Sequence, residues 1–313
     1  MAIAETYGIG YRGFLAVKEG GNYFVFPCTG AGPDKVATLI IPENIHATAA
    51  SGTEIEQAAF RIHYAEGQNT YTGSITMPFY LNSTWWDIVS NWAYSGRTTP
   101  REIIFSPDGA TFYKYPQVYV SRMAIDNRGA NNLIEVTLDL TAKGREVVSS
   151  GLSGITLYLV TYKDTQNLVP VPYWKSSLSM EYIYSSFDFS VISWRVEITH
   201  NTVVTHVLND SPDPYLIKQG LCVISGSTTI YKEKGVPEPD HRKGAISILI
   251  GPSGGQNVQL DMYNVAVETY PYPMRAPSAI TTRDINFQAF AGEYDWNGSS
   301  TLKPALEITS NLT

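Results

Sequence analysis

Ile134-Glu135-Val136-Thr137-Leu138-Asp139-Leu140 puts an apolar side chain at every second position and a polar one between. Side chains of a strand alternate between two faces, so this is a strand with one buried and one wet face, and Glu135 and Asp139 are expected to meet water. The same period recurs outward from it. Phe60-Arg61-Ile62-His63-Tyr64 shows it, as do Trp194-Arg195-Val196-Glu197-Ile198-Thr199 and Ile285-Asn286-Phe287-Gln288-Ala289-Phe290. Trp194–Thr199 reads as the second-half counterpart of the 134–140 strand. Gly20-Gly21-Asn22, Pro107-Asp108-Gly109, Pro212-Asp213-Pro214 and Pro252-Ser253-Gly254-Gly255 punctuate the runs as turns. Many short strands between turn signals predict a mainly β fold of antiparallel sandwiches or barrels.

The chain also repeats itself at an offset of about 145 residues. Asn22-Tyr23-Phe24-Val25-Phe26-Pro27 is echoed by Asn167-Leu168-Val169-Pro170-Val171-Pro172, and Ser106-Pro107-Asp108-Gly109 by Gly251-Pro252-Ser253-Gly254. With a slip of two residues, Gly73-Ser74-Ile75 falls on Gly220-Leu221-Cys222, and Leu138, Leu140 and Ala142 fall on Ile285, Phe287 and Ala289. A shared offset implies two tandem homologous domains, 1–150 and 151–313, joined at the small-residue stretch Val148-Ser149-Ser150-Gly151. So short a linker should hold them close.

One segment breaks the period of two. In Ser83-Thr84-Trp85-Trp86-Asp87-Ile88-Val89-Ser90-Asn91-Trp92, the residues Trp85, Ile88, Val89 and Trp92 fall at helical spacing. The pattern predicts a short flanking helix near 84–92, capped by Ser83 or Thr84, with Asp87 in its first turn. The matching stretch of the second half, Ser225 to Gly244, has no such stripe, so the helix is expected to be lost or reshaped there.

Composition narrows the functional classes. The chain has 313 residues, is 43% hydrophobic and carries a net charge of −7 spread over both halves. No Lys/Arg cluster is present to neutralise phosphates, which argues against tight nucleic-acid binding. Only 16% of residues are charged while 21 are Tyr, a composition suited to strands and to half-wet protein contacts. Cys28 and Cys222 are too few for a disulfide framework and read as reduced thiols. The N-terminus lacks the pattern of a signal peptide, and no run is long and apolar enough to be a membrane anchor.

Candidate chemistry is thin. Gly251-Pro252-Ser253-Gly254-Gly255 resembles a serine-protease nucleophile loop, but its sister at Ser106–Gly109 holds Asp centrally, which marks a hairpin turn. Asp126-Asn127-Arg128 with Asn131-Asn132, and Asp210 with Asp213, offer oxygens without the ligand ladder of a calcium loop. His46, His63, His200, His206 and His241 lack zinc spacing, and there is no phosphate-binding glycine loop. The expectation is no enzyme, no metal and no cofactor. Trp85, Trp86, Trp92 and Tyr270-Pro271-Tyr272-Pro273 raise the alternative of a carbohydrate-binding β-sandwich.

The alternating strands, the helix at Thr84–Trp92, the closing strand Asp284–Gly292 and the Asn-containing tail Ala305–Asn311 together resemble the bacteriophage tail tube family. That resemblance implies a structural virion protein, assembled in the host cytoplasm, whose rings stack into a tube for DNA ejection. Three chains of two domains would fill a pseudo-sixfold ring, or six chains if the second domain decorates the outside. Tape measure, tail terminator and baseplate proteins are the implied partners, with DNA in transient, non-specific passage. A distal tail or baseplate hub protein would give the same reading. Under it Glu54, Glu56, Arg195 and Glu197 are lumen-facing candidates. Tyr7, Tyr11, and Gln68, Asn69 and Tyr71 within the polar segment Gly67–Gly73, are candidates for contact between rings.

Overall fold

Alternating apolar residues make strands wherever a second strand can take up their backbone groups, and here they do so along nearly the whole chain. The computed structural model describes residues 14–40, 65–107, 111–148, 157–159, 170–182, 185–187, 190–208, 211–231, 244–269, 282–296 and 299–312. The first half holds β1 (Phe14–Glu19), β2 (Asn22–Pro27), β3 (Thr29–Ile40), β4 (Ala65–Pro78), α1 (Ser83–Ser90), β5 (Arg101–Ser106), β6 (Tyr113–Asn127), β7 (Ile134–Ala142), β8 (Glu146–Val147) and β9 (Leu157–Leu159). The second holds β10 (Ser176–Tyr182), β11 (Ser185–Phe187), β12 (Val191–Thr205), β13 (Leu216–Tyr231), β14 (Gly244–Ile250), β15 (Asn257–Thr269), β16 (Thr282–Ala289), β17 (Gly292–Trp296), β18 (Ser299–Lys303) and β19 (Leu306–Asn311).

Eight of these strands form one continuous antiparallel sheet in the order β3-β4-β7-β6-β12-β13-β16-β15. The N-terminal half of β6 leaves it to pair with β5, which leads on to β1 and β2. The N-terminal half of β15 likewise pairs with β14, which leads to β10 and β11. Every pairing among β1–β7 thus has a counterpart among β10–β16. Several irregularities coincide as well. A bulge lies between Arg101 and Ile103 opposite β6, and between Gly244 and Ile246 opposite β15. A second lies between Val120 and Arg122 opposite β7, and between Val267 and Thr269 opposite β16. A bulge shifts the register by one residue, so two in matching places align the strands residue by residue.

This alignment corrects several sequence echoes. Leu138, Leu140 and Ala142 do match Ile285, Phe287 and Ala289, but Gly73 matches Gly226, since Gly73 faces Leu140 and Gly226 faces Phe287. β2 has its counterpart in β11, so Asn167–Pro172 is not its copy. Trp194–Thr199 lies in β12, the counterpart of β3, and not in a copy of β7. Residues 225–231, in the stretch where the second-half helix is expected to be lost or reshaped, belong to β13, and 232–243 lie outside the described residues. The expected C-terminal tail is strand β19, paired with β15.

The sheet buries one face. Ile75, Met77, Met123, Ile125, Val136, Leu138, Leu140, Trp194, Val196, Ile198, Ile224, Ile285 and Phe287 are all buried in a single cluster that runs from one half into the other. Full burial of such side chains stabilises by roughly 1.5–3 kcal/mol each before chain entropy is set against it. A smaller cluster of Phe14, Ala16, Tyr23, Val25 and Ile104 lies apart from it.

α1 begins one residue earlier than its sequence suggests. Asn82 is the cap, its Oδ1 accepting from Trp85 N at 2.9 Å, so Ser83 is already helical and Asp87 falls beyond the first turn. Trp85, Ile88, Val89 and Trp92 are buried as the stripe requires, and so is Trp86. Phe79 packs against both Trp85 and Trp86, with ring centroids 5.2 and 5.0 Å away, which accounts for the wider apolar face. A π turn, Asn91–Ser95, continues the helix toward the second half.

Candidate functional site

The most developed polar feature is the outer face of the continuous sheet where β6 meets β12. Antiparallel pairing sets Arg195 opposite Asp126, Glu197 opposite Ala124 and Thr199 opposite Arg122. β7 adds Asp139 opposite Arg122 and Glu135 opposite Asp126. Side chains at such cross-strand positions share a face, so charges from three strands converge.

The charges form a chain across the joint. Arg122 donates from Nε to Asp139 Oδ2 at 2.7 Å and from Nη1 to Glu197 Oε1 at 3.3 Å. Arg195 reaches Glu197 at 2.5 Å and Asp126 at 3.7 Å. Arg128 lies 2.9 Å from Asp126 and 3.5 Å from Glu135, and Ser74 Oγ donates to Asp139 at 2.7 Å. The bond to Asp139 raises Arg122 above its ordinary pKa, and the bond to Asp126 does the same for Arg128. Partly exposed pairs of this kind contribute about 0.2–1 kcal/mol each. Their stronger effect is on register, because a slip of one residue would turn the whole set to the other face. All three guanidinium groups are neutralised, so the face offers phosphate no uncompensated cation among these residues.

Other contacts brace the joint from the sides. His200, buried in β12, donates from Nε2 to Ala93 O at 2.7 Å, since a carbonyl can only accept. Tyr94 donates to Leu306 O at 2.6 Å, and Gln219 Nε2 to Val120 O at 2.7 Å. The distal part of the β12–β13 hairpin folds back on β4. There Asp213 Oδ1 accepts from Asn69 Nδ2 and Tyr71 Oη, both at 2.7 Å, while Asn69 N donates to Pro212 O at 2.8 Å. Burial, helped by Asp213, pushes the Tyr71 hydroxyl up to about 12.

Of the sequence candidates, Arg195 and Glu197 come together on this face. Asn69 and Tyr71 are buried under the second-half hairpin, while Gln68 is exposed. Gly67–Gly73 is part of β4 and not a surface loop. Glu54, Glu56, Tyr7, Tyr11 and Tyr270–Pro273 lie outside the described residues. Sequence reasoning missed Arg122, Arg128, Asp126 as an ion-pair partner, and Asp213. Nothing local to Arg122 or Asp126 names a partner some 70 residues away.

Two of the chemical candidates are taken up by local structure. Gly251–Gly255 forms the tight turn between β14 and β15, with Gly251 at φ 112° and Gly254 at φ 77°. Asn127 is consumed by Gly129 N, Tyr173 O and Ser176 Oγ. Among the described residues no three His, Cys, Asp or Glu side chains are grouped to hold a metal, and no helix is long and apolar enough to cross a membrane. Burial pushes the Cys28 thiol up to about 12 and raises Cys222 as well. No protein-family model matches the chain, and no curated protein matches it in sequence.

Proposed function

We propose that this chain is a structural virion protein with two tandem homologous antiparallel β domains, and that it polymerises into stacked rings forming a phage tail tube for DNA ejection. The observation that carries this reading is the same seven-strand pairing scheme used twice and fused edge to edge into one sheet. Units that join through a strand edge suit a repeating wall. The sheet's polar face supports a conduit, because DNA slides past a surface whose arginines are already neutralised instead of exchanging counterions with it. The net charge of −7 acts in the same direction.

In this reading three chains make a pseudo-sixfold ring, the virion tail is the site of action, and tape measure, terminator and baseplate proteins meet the tube along its axis and at its ends. Negative-stain electron microscopy of the concentrated protein tests it. Hollow rings or tubes, with three chains per ring, are expected. Uniform particles of single-chain size at every concentration would overturn it.

A further inference from the structure

Where the β12–β13 hairpin folds back on β4, it closes over a cleft of about 300 Å³. Strands β4, β6 and β7 line it from the first half of the chain, β12 and Pro214 from the second. We propose that this cleft binds a small primary alkylamine in its ammonium form. The site does not depend on self-assembly, and its ligand ties the second half of the chain to the first.

The lining groups whose hydrogen bonds are fixed all present acceptors. His200 is 3% exposed, and its Nε2 donates to Ala93 O, which sets the tautomer and makes Nδ1 an acceptor; Nδ1 is buried without a partner. Tyr71 gives its proton to Asp213 at 2.7 Å and Ser121 gives its own to Asp139 O at 3.1 Å, so each oxygen can only accept from a ligand. Thr202 Oγ1 lies 3.5 Å from His200 O, its lone pairs free. Two further acceptors flank the cleft. Asn69, next to Thr70, gives Nδ2 to the Asp213 carboxylate, and Gln219, opposite Thr202, gives Nε2 to Val120 O. Neither amide can be turned over without losing that bond, so Asn69 Oδ1 and Gln219 Oε1 are the atoms left buried and unpaired.

Buried acceptors without donors are costly, and several around one cleft call for a ligand rich in donors. Water donates but also brings lone pairs that such a lining cannot satisfy. An ammonium group brings three N–H donors and no acceptor. Its charge is favourable beside Asp213, whose Oδ1 accepts from Tyr71, and in a chain of net charge −7. The alkyl part has its own counterpart, because Ala142, Val204, Pro214 and the threonine methyl groups give carbon surface beside the acceptors. The volume matches about ten waters of the liquid, enough for a chain of a few carbons. A potassium ion suits the lining less well, since hard cations favour oxygen over an imidazole nitrogen and gain nothing from carbon.

Equilibrium dialysis of radiolabelled n-butylammonium chloride against the full chain tests the site, at pH 7.5, where His200 is neutral. Saturation at one ligand per chain is expected, undisturbed by equal concentrations of n-butanol, tetramethylammonium chloride or potassium chloride. No saturable binding would overturn the inference. So would displacement by n-butanol, the mark of a merely apolar pocket, or by either salt, the mark of a general ionic effect. Thr202→Val keeps the shape and removes one acceptor, so it should weaken binding about tenfold, as loss of one hydrogen bond to a charged group does. His200→Phe should weaken it at least as much, with near-UV circular dichroism as the check on folding. If His200→Phe misfolds, Thr202→Val carries the test: a folded Thr202→Val chain that binds as tightly as the parent overturns the inference.

Discussion

Gly226→Ala should destabilise the chain although it adds a single methyl group. Gly226 lies in β13 between β12 and β16, and a Cβ there would come 2.4 Å from Arg195 O and 2.4 Å from the tip of the Phe287 ring. Non-bonded carbons rest at about 3.5–4.0 Å, so the ring must retreat by about 1–1.5 Å. The carbonyl can retreat less, because Arg195 is paired on both sides, by β13 and by β6. Overpacking of this kind costs about 1–3 kcal/mol. The lost backbone freedom of the unfolded chain returns about 0.4–1 kcal/mol, leaving a net loss of about 1–2 kcal/mol. Urea unfolding followed by tryptophan fluorescence measures it as a lower midpoint at unchanged slope. Gly226→Ala/Phe287→Leu separates the two clashes. Removing the ring relieves one contact and leaves the carbonyl, so no more than part of the loss is recovered once the cost of Phe287→Leu alone is subtracted. A Gly226→Ala chain as stable as the parent would refute the close packing of β13 beside the joint.

Two further outcomes follow from single side chains. Asn82→Ala removes the α1 cap and should cost about 1 kcal/mol, while Asn82→Asp or Asn82→Ser keeps most of it; equal losses in all three would show that the cap bond contributes nothing. His200 has its pKa lowered chiefly by burial and also by Arg97, with the Ala93 bond working the other way, and Cys222 is its cross-strand neighbour. A lowered histidine pKa means that the unfolded chain takes up its proton first. Stability from the neutral ring is therefore complete above about pH 6.5 and declines as pH falls below it, levelling off only below the folded-state pKa. His200→Gln should flatten that decline between pH 7.5 and 5, and parallel curves for the two proteins would contradict it.

The alternation in 134–140, 194–199 and 285–290 was enough to read the β class, because each strand buries one face and so writes its period into the sequence. The α1 stripe was legible for the same reason, apart from Trp86, whose burial depends on Phe79 outside the helix. The repeated pairing scheme was legible only in part. Turn residues recur by chemistry, so Ser106–Gly109 and Gly251–Gly254 resemble one another, and Asn167–Pro172 resembles β2 without being its counterpart. True counterparts need share no letter: Tyr115 corresponds to Met262 and Ile75 to Thr228, matched by pairing and bulges alone. Asn69 and Tyr71 looked like exposed polar residues because the carboxylate that satisfies them lies more than 140 positions away, in Asp213.

The placement of the joint explains why two such units would be carried on one chain. Separate units would leave open the edges that β6 and β12 cover for one another. Fusion pairs β6 with β12 inside the molecule, where no second chain has to be found and dilution has no effect. Arg122 with Glu197, and Arg195 with Asp126, close across that joint, and buried apolar residues such as Ile125, Val196 and Ile198 lie beneath the same pairing. On this reasoning high salt, which screens the ion pairs but not the burial beneath them, should leave β6 paired with β12. Salt-induced loss of β6–β12 pairing, read by hydrogen exchange at Ile125 and Val196 before the chain unfolds, would contradict it.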